Sequence, residues 1–229
     1  MELSKRLMAV ACLVTPGNRL ADVGTDHGYI PIYLIKENRI PHAIAMDVNR
    51  GPLLRAQEHI RMEGLEERIE TRLSDGMKML LPTEADTVVI AGMGGALTLR
   101  ILEEGEYTAA HLRELILQPQ SELEKVRRWL VLHQYRIEEE DMVLEDGKYY
   151  PMMRVVHGTM EPLRDIEAAY GPVLLKKKHP CLKSYLLWEQ GVKKRILEQL
   201  ANASEGAGNR RAEVEEALEL NVRALRELQ

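Results

Sequence analysis

The chain has no phenylalanine, two tryptophans and two cysteines in 229 residues. It also lacks any apolar run approaching the roughly 18 residues that a membrane helix needs. Each absence excludes something. Without Phe, the core must be filled by Leu, Ile, Val and Met. Cys12 and Cys181 stand far apart, with no C-x-x-C pair and no nearby His cluster, which argues against a disulfide framework and a zinc-type centre, so no metal is expected. The opening MELSKRLMAVACLV sets Lys5 and Arg6 before a mostly apolar stretch and imitates a secretory leader. Leu3, Leu7, Val10 and Val14 nevertheless fall at helical spacing, so the segment reads as an amphipathic helix and a cytoplasmic location is expected.

What is present fits one α/β domain with a smaller appendage: 45% of residues are apolar, enough for a sizeable core. The net charge of −5 is unevenly spread. Residues 164–195 hold eight basic and three acidic side chains, a local basic face that a polyanion could use.

Strand and helix signals alternate through the first two thirds. Helix Leu3–Val14 ends at Thr15-Pro16-Gly17-Asn18, and Leu20–Val23 is the first strand. A glycine turn leads into helix Ile32–Glu37, with Pro31 in its first turn. Strand Ala43–Asp47, helix Leu53–Met62 and strand Ile69–Leu73 follow. Thr87–Ala91 (TVVIA) is a fully apolar strand, then come helix Ala96–Glu103, strand Leu115–Leu117 and a helix running to His133. Ser121 and Glu124 have capping-box spacing at the start of that last helix. The pattern predicts a parallel, doubly wound sheet covered on both faces. Tyr135–Leu144 and Tyr149–Val156, joined by Asp146-Gly147, read as an antiparallel hairpin, the feature that separates a methyltransferase sheet from a dinucleotide-binding one. Beyond Gly158 the composition turns helical. Helices Leu182–Leu200 and Glu213–Leu228, separated by a flexible turn at Asn202–Asn209, predict an antiparallel hairpin. Val214, Leu218, Asn221, Leu225 and Leu228 mark a coiled-coil seam. The expected domains are therefore 1–160 and 161–229.

Four stretches converge on one crevice at the carboxyl ends of the strands. DVGTDHG supplies a first turn with Asp22, Gly24, Asp26 and His27. AMDVN brings Asp47, Val48 and Asn49, the carboxylate suited to ribose hydroxyls. Asp75 and Gly76 close the third strand, where a carboxylate could meet an adenine amino group. Ala91, Gly92, Met93 and Gly94 close the fourth. The dinucleotide fingerprint G-x-G-x-x-G has a glycine where this chain has Asp26. A carboxylate there repels pyrophosphate and suits a ligand bearing an ammonium and a sulfonium. S-adenosylmethionine is such a ligand, and Asp22 or Asp26 could hold its amino group.

Together DVGTDHGYIP, AMDVN, SDGM, AGMGG and LQPQSE resemble the bacterial tRNA (adenine-22-N1)-methyltransferases, the TrmK family, from Leu3 to about Gly158. The helical remainder is similar to that family's coiled-coil domain. The resemblance implies a Rossmann-like class I methyltransferase that uses S-adenosylmethionine to methylate N1 of an adenine in the tRNA D-arm. Where amino-methyltransferases place Asn or Asp, Pro-Pro and an aromatic after strand four, this chain has Gly92-Met93-Gly94-Gly95. The candidates at the transfer face are then Asp26, His27 and Tyr29, the last as a stacking ring. Lys176, Lys177, Lys178, Lys183, Lys193, Lys194 and Arg195 are the candidate tRNA contacts. A monomer or a weak homodimer is expected. Three alternatives stay open on the residues alone: a methyltransferase for another RNA, a small molecule or a protein, an NAD(P) oxidoreductase, and a non-catalytic nucleoside-binding module.

Overall fold

The computed structural model describes residues 2–201 and 208–229. The chain divides into two compact units, Met1–Glu161 and Pro162–Gln229. In the first, strands β1 (Leu20–Val23), β2 (Ala43–Asp47), β3 (Ile69–Leu73), β4 (Thr87–Met93), β5 (Glu114–Pro119), β6 (Tyr135–Glu145) and β7 (Lys148–His157) form one seven-stranded sheet in the order β3-β2-β1-β4-β5-β7-β6. Strands β1 to β5 are parallel, whereas β7 runs antiparallel to both β5 and β6. Helices α1 (Lys5–Leu13), α2 (Tyr29–Lys36), α3 (Arg50–Met62), α4 (Gly95–Glu104), α5 (Glu106–Ala109) and α6 (Leu123–Leu132) belong to the same unit.

The sheet follows from its residues. Every position of β1, β2 and β5 is buried, as required of parallel strands covered on both faces. Strand β6, at the sheet edge, alternates instead between buried and more exposed positions. The hairpin turn at Asp146-Gly147 has φ of 47° and 75°, the left-handed pair that a two-residue connection needs. Strand order reverses between β1 and β4, which start in register with Leu20 opposite Thr87. Their carboxyl ends therefore open onto a common crevice, the usual ligand position in such sheets.

One expectation fails. Ser121 does not cap α6: the helix starts at Leu123, and Glu122 at its N-cap position is left-handed, with φ 52° and no side-chain cap. Ser121 faces the other way, its Oγ accepting from Gly95 N at 3.1 Å, while Glu122 accepts from Ala96 N at 3.0 Å. The two residues cap the start of α4, because the β5–α6 loop packs directly on that helix end. A Cβ on Gly95 would collide with the Ser121 carbonyl and lie 2.8 Å from Glu122 Cβ. Helix α6 is anchored to β6 by an ion pair between Arg127 and Glu140, 2.9 Å apart with side chains 1% and 0% exposed.

The second unit comprises α7 (Asp165–Tyr170), α8 (Pro172–Lys176), α9 (Pro180–Ala201) and α10 (Gly208–Glu227). Helices α7 and α8 carry no distinct signal of their own in the sequence. Most of the predicted turn at Asn202–Asn209 lies outside the described residues, while Gly208 and Asn209 already belong to α10. Helix α10 returns along α9: Asn221, fully buried, donates to the Leu186 carbonyl at 3.0 Å and to Glu189 at 2.8 Å. Val214 and Leu228 are buried on the same stripe, and Leu218 and Leu225 are half-buried. Glu189 also accepts from the Tyr170 and Tyr185 hydroxyls at 2.8 and 3.0 Å and pairs with Lys193 at 2.7 Å. Burial opposes ionisation of Glu189, but the Lys193, Asn221 and Tyr170 donors outweigh it and hold the carboxyl below its usual range. The Asn221 contacts fix how the two helices align, since a slip of either would break both hydrogen bonds of a buried amide.

Candidate active site

At the β1–β4 switch point lies a cavity of about 320 Å³, lined by Arg6, Leu7, Asp22, Gly24, Thr25, Asp26, His27, Tyr29, Ile30, Ala91, Gly92 and Gln120. A larger groove of about 700 Å³ runs along α3 and β3 but carries neither glycine turn. The cavity unites the first and fourth sequence stretches, and Arg6 and Gln120 join them without having been foreseen.

The first turn owes its shape to alternating left-handed residues: Gly24, Asp26 and Gly28 have φ of 76°, 48° and 71°. The chain thereby doubles back over β2, with Gly24 N and Thr25 N both donating to the Met46 carbonyl at 2.8 and 2.9 Å. Glycine is required at position 24 on two counts, because a Cβ there would also strike Met93 Cε. That contact brings the AGMGG loop onto the DVGTDHG turn. At position 26 an aspartate takes the left-handed conformation usual for glycine, as Asp tolerates it better than most residues do.

The two carboxylates of this turn have different settings. Asp22 is 4% exposed, and its Oδ2 accepts from the Thr25 hydroxyl at 2.7 Å. Burial pushes its carboxyl up to about 6; the Thr25 hydrogen bond works against this and the nearby Asp47 charge reinforces it. Asp26 is 58% exposed, pairs with Arg55 at 2.8 Å and stands 3.5 Å from His27 Nε2. Its charge already has a partner within the protein, whereas Asp22 is a buried acid facing a cavity with no cation bound to it among the described residues.

His27 and Tyr29 form a ring patch with His59 of α3. The centroids are 5.1, 5.4 and 5.4 Å apart and the planes lie within 19° of parallel. Nearly equal separations exclude a column, so the rings form an offset cluster in which His27 and Tyr29 line the cavity. His59 Nδ1 lies 3.0 Å from the His27 carbonyl, and His27 Nδ1 is buried without a partner among the described residues. No local signal in the sequence marked His59 or Arg55, which α3 delivers from about thirty residues away.

The remaining expected residues lie at the carboxyl ends of β2, β3 and β4, and of them only Ala91 and Gly92 line this cavity. Asp47 is buried at the end of β2, its Oδ1 accepting from Asn49 N at 2.8 Å, while Val48 is exposed. Asp75 is held by two cations, Lys78 at 2.7 Å and Arg100 at 3.1 Å. The Lys78 hydrogen bond chiefly keeps its carboxyl below the usual range. Gly76, beside it, packs against Ile101. Gly92 N donates to Gln118 Oε1 at 3.1 Å, and the Met93 carbonyl accepts from Gln120 N at 2.8 Å. The LQPQSE stretch at the end of β5 thus shapes the AGMGG loop. Gly94 is set by packing, for a Cβ there would lie 3.3 Å from Ser121 Oγ. No group of three potential metal ligands occurs among the described residues.

In the second unit, Lys176, Lys177, Lys178, Lys183, Lys194 and Arg195 are exposed. Lys193 differs from them. Its side chain is 15% exposed and its ammonium is bound by Glu189.

A family model described as a methyltransferase domain matches residues 3–153. The tRNA (adenine(22)-N(1))-methyltransferase of Bacillus subtilis is 34% identical over 221 residues, covering 92% of this chain and 90% of its own. The chain belongs to the tRNA (adenine(22)-N1)-methyltransferase family. Two solved structures match this family member along its length. A Streptococcus pneumoniae protein in complex with S-adenosyl-L-methionine superposes with a TM-score of 0.86 at 35% identity, covering 98% of this chain and all of its own. TrmK of M. capricolum, in complex with the cofactor product S-adenosyl-homocysteine, gives a TM-score of 0.87 at 28% identity over all of both chains.

Proposed function

We propose that this chain transfers the methyl group of S-adenosylmethionine to N1 of adenine 22 in the D-arm of tRNA. The observation that carries the reading is the acidic first turn. Asp26 stands where a dinucleotide-binding protein keeps a glycine, and Asp22 is a buried acid facing the cavity, so the cavity favours a positively charged nucleoside.

The donor supplies an electrophilic sulfonium methyl when bound, and the adenine N1 lone pair is the nucleophile. The protein's part is placement and electrostatics. Asp22, facing the cavity, would hold the donor's ammonium, and Asp47 its ribose hydroxyls. His27 and Tyr29 line the cavity with rings on which a base could stack, supported by His59. Holding donor and acceptor in near-attack geometry can contribute up to about 7–11 kcal/mol. A base that is paired or stacked in tRNA must first be turned out of its helix. The AGMGG loop brings no Asn carboxamide or Asp carboxylate to the base, so binding there falls to backbone groups and to the carboxylate field, which also suits the cationic 1-methyladenosine product. Tyr29 and Asp26 are assigned to this face. The exposed Lys176, Lys177, Lys178, Lys183, Lys194 and Arg195 would grip the RNA backbone. The protein acts in the cytoplasm as a monomer or a weak dimer.

Incubation with labelled S-adenosylmethionine and unmodified tRNA, followed by digestion to nucleosides, tests the assignment. Label should appear in 1-methyladenosine and vanish when adenine 22 is replaced by guanine. Label in another nucleoside, or transfer independent of RNA, would refute it.

A further inference from the structure

Gln118 and Gln120 flank Pro119, the last residue of β5, and the fold uses the two amides differently. Gln118 is 0% exposed, and its Oε1 accepts from Arg6 Nη1 and Gly92 N, both at 3.1 Å. It braces the AGMGG loop. Gln120 is exposed and lines the cavity. Its backbone N donates to the Met93 carbonyl at 2.8 Å, and the next residue, Ser121, accepts from Gly95 N at 3.1 Å. The main chain at Gln120 is thus pinned to the loop, whereas its carboxamide has no hydrogen-bond partner among the described residues.

Amino-methyltransferases place Asn or Asp directly after the fourth strand's apolar run, and here that position is Gly92. A Cβ on Gly92 would lie 3.9 Å from Gln120 Nε2. The free amide therefore stands beside the place of the side chain that Gly92 lacks, delivered from β5 instead of from β4. A glutamine suits adenine by its chemistry: Oε1 accepts from the exocyclic amino group while Nε2 donates to N7. That pairing occupies one edge of the base and leaves N1, the methyl acceptor, unobstructed. Guanine presents acceptors at both O6 and N7, so the same amide cannot satisfy it at both atoms.

We propose that Gln120 reads the amino group and N7 of the target adenine and so selects that base for methylation at N1. This deepens the functional reading above and rests on the cavity receiving the base beside the donor.

Methyl-transfer kinetics on the full chain would compare wild type, Gln120→Leu and Gln120→Glu on three tRNAs carrying adenine, 7-deazaadenine or unsubstituted purine at position 22. The first analogue lacks only N7 and the second only the amino group, while both keep N1. Gln120→Leu should lower kcat/KM about 10- to 100-fold on adenine, the range of a bidentate base contact. On either analogue, where one of the two bonds is already gone, the same substitution should cost only about 2- to 10-fold. Gln120→Glu keeps the acceptor for the amino group and turns a lone pair toward N7, so it should exceed Gln120→Leu by the widest margin on 7-deazaadenine. Affinity for S-adenosylmethionine, read by calorimetry, should be unchanged in both variants. An equal penalty on all three tRNAs would assign Gln120 to the RNA backbone or to the loop and overturn the proposal. So would weakened donor binding by Gln120→Leu, which would place the amide against the donor. If wild type does not methylate adenine 22, the functional reading falls with the proposal; if it does and the penalties are equal, only the role of Gln120 falls.

Discussion

With Asp22 as the proposed partner of the donor's ammonium, donor binding should depend on pH. In the free protein burial pushes its carboxyl up to about 6, whereas an ammonium and a sulfonium beside it favour the ionised form. If only ionised Asp22 accepts the donor, about one molecule in eleven is competent at pH 5 and about ten in eleven at pH 7. The dissociation constant for S-adenosylmethionine should therefore rise about tenfold between pH 7 and pH 5, equivalent to about 1.4 kcal/mol. The ligand's own ammonium and carboxylate keep their charges across this window, with α-amino and α-carboxyl values near about 7.8 and about 3.5. Calorimetry at pH 6 in buffers of different ionisation enthalpy should show release of about half a proton per donor bound. Asp22→Asn is the deciding comparison. That variant should bind more weakly at pH 7 and lose most of the pH dependence. A flat wild-type profile, or the same slope in Asp22→Asn, would refute the role given to this carboxylate. The same shift bears on stability in the opposite sense. A carboxyl raised above its unfolded value of 3.8 favours the fold most at low pH, and that contribution is lost as pH rises through 4 to 6. Without ligand, Asp22→Asn should therefore be more stable than wild type at pH 8, by up to about 3 kcal/mol, with the gap closing toward pH 4.

Other perturbations test other parts of the molecule. Asp26→Gly keeps the left-handed backbone and removes the charge, so it should fold normally yet lose at least about a hundredfold in turnover; Asp26→Ala should add backbone strain of about 1 kcal/mol, and near-normal turnover in either removes Asp26 from the transfer face. Arg127→Met takes the cation away from buried Glu140 and should cost about 3–5 kcal/mol in urea unfolding, whereas Arg127→Met with Glu140→Leu should recover most of it; an additive double mutant would refute that coupling. Reversing Lys183, Lys194 and Arg195 to Glu should weaken tRNA binding and lower the slope of log affinity against log salt, read by filter binding. An unchanged slope would take those residues out of the interface. Lys193 is left out of that set because Glu189 already binds it.

The fold was largely legible because its signals are local and periodic. TVVIA could only be a strand covered on both faces, and Asp146-Gly147 could only be a tight hairpin turn. The Ser121 and Glu124 spacing misled for a physical reason: a capping box is a statement about one segment, and here the serine serves a different helix, α4, brought to it by the sheet. The candidate site divides along the same line. Residues at strand ends were readable, since parallel strands in register deliver their carboxyl ends to one crevice whatever the loops do. What was not readable is what those residues meet. Asp26 and Asp22 look alike in DVGTDHG, yet one is exposed against Arg55 and the other is buried and partly protonated near neutrality. That difference is set largely by residues distant in sequence, and it makes the carboxylate at the end of β1, rather than the one that replaces a glycine, the proposed ammonium partner. The departure from the dinucleotide pattern at position 26 removes the glycine that pyrophosphate binding uses, while the proposed donor contact is Asp22, whose surroundings no motif encodes.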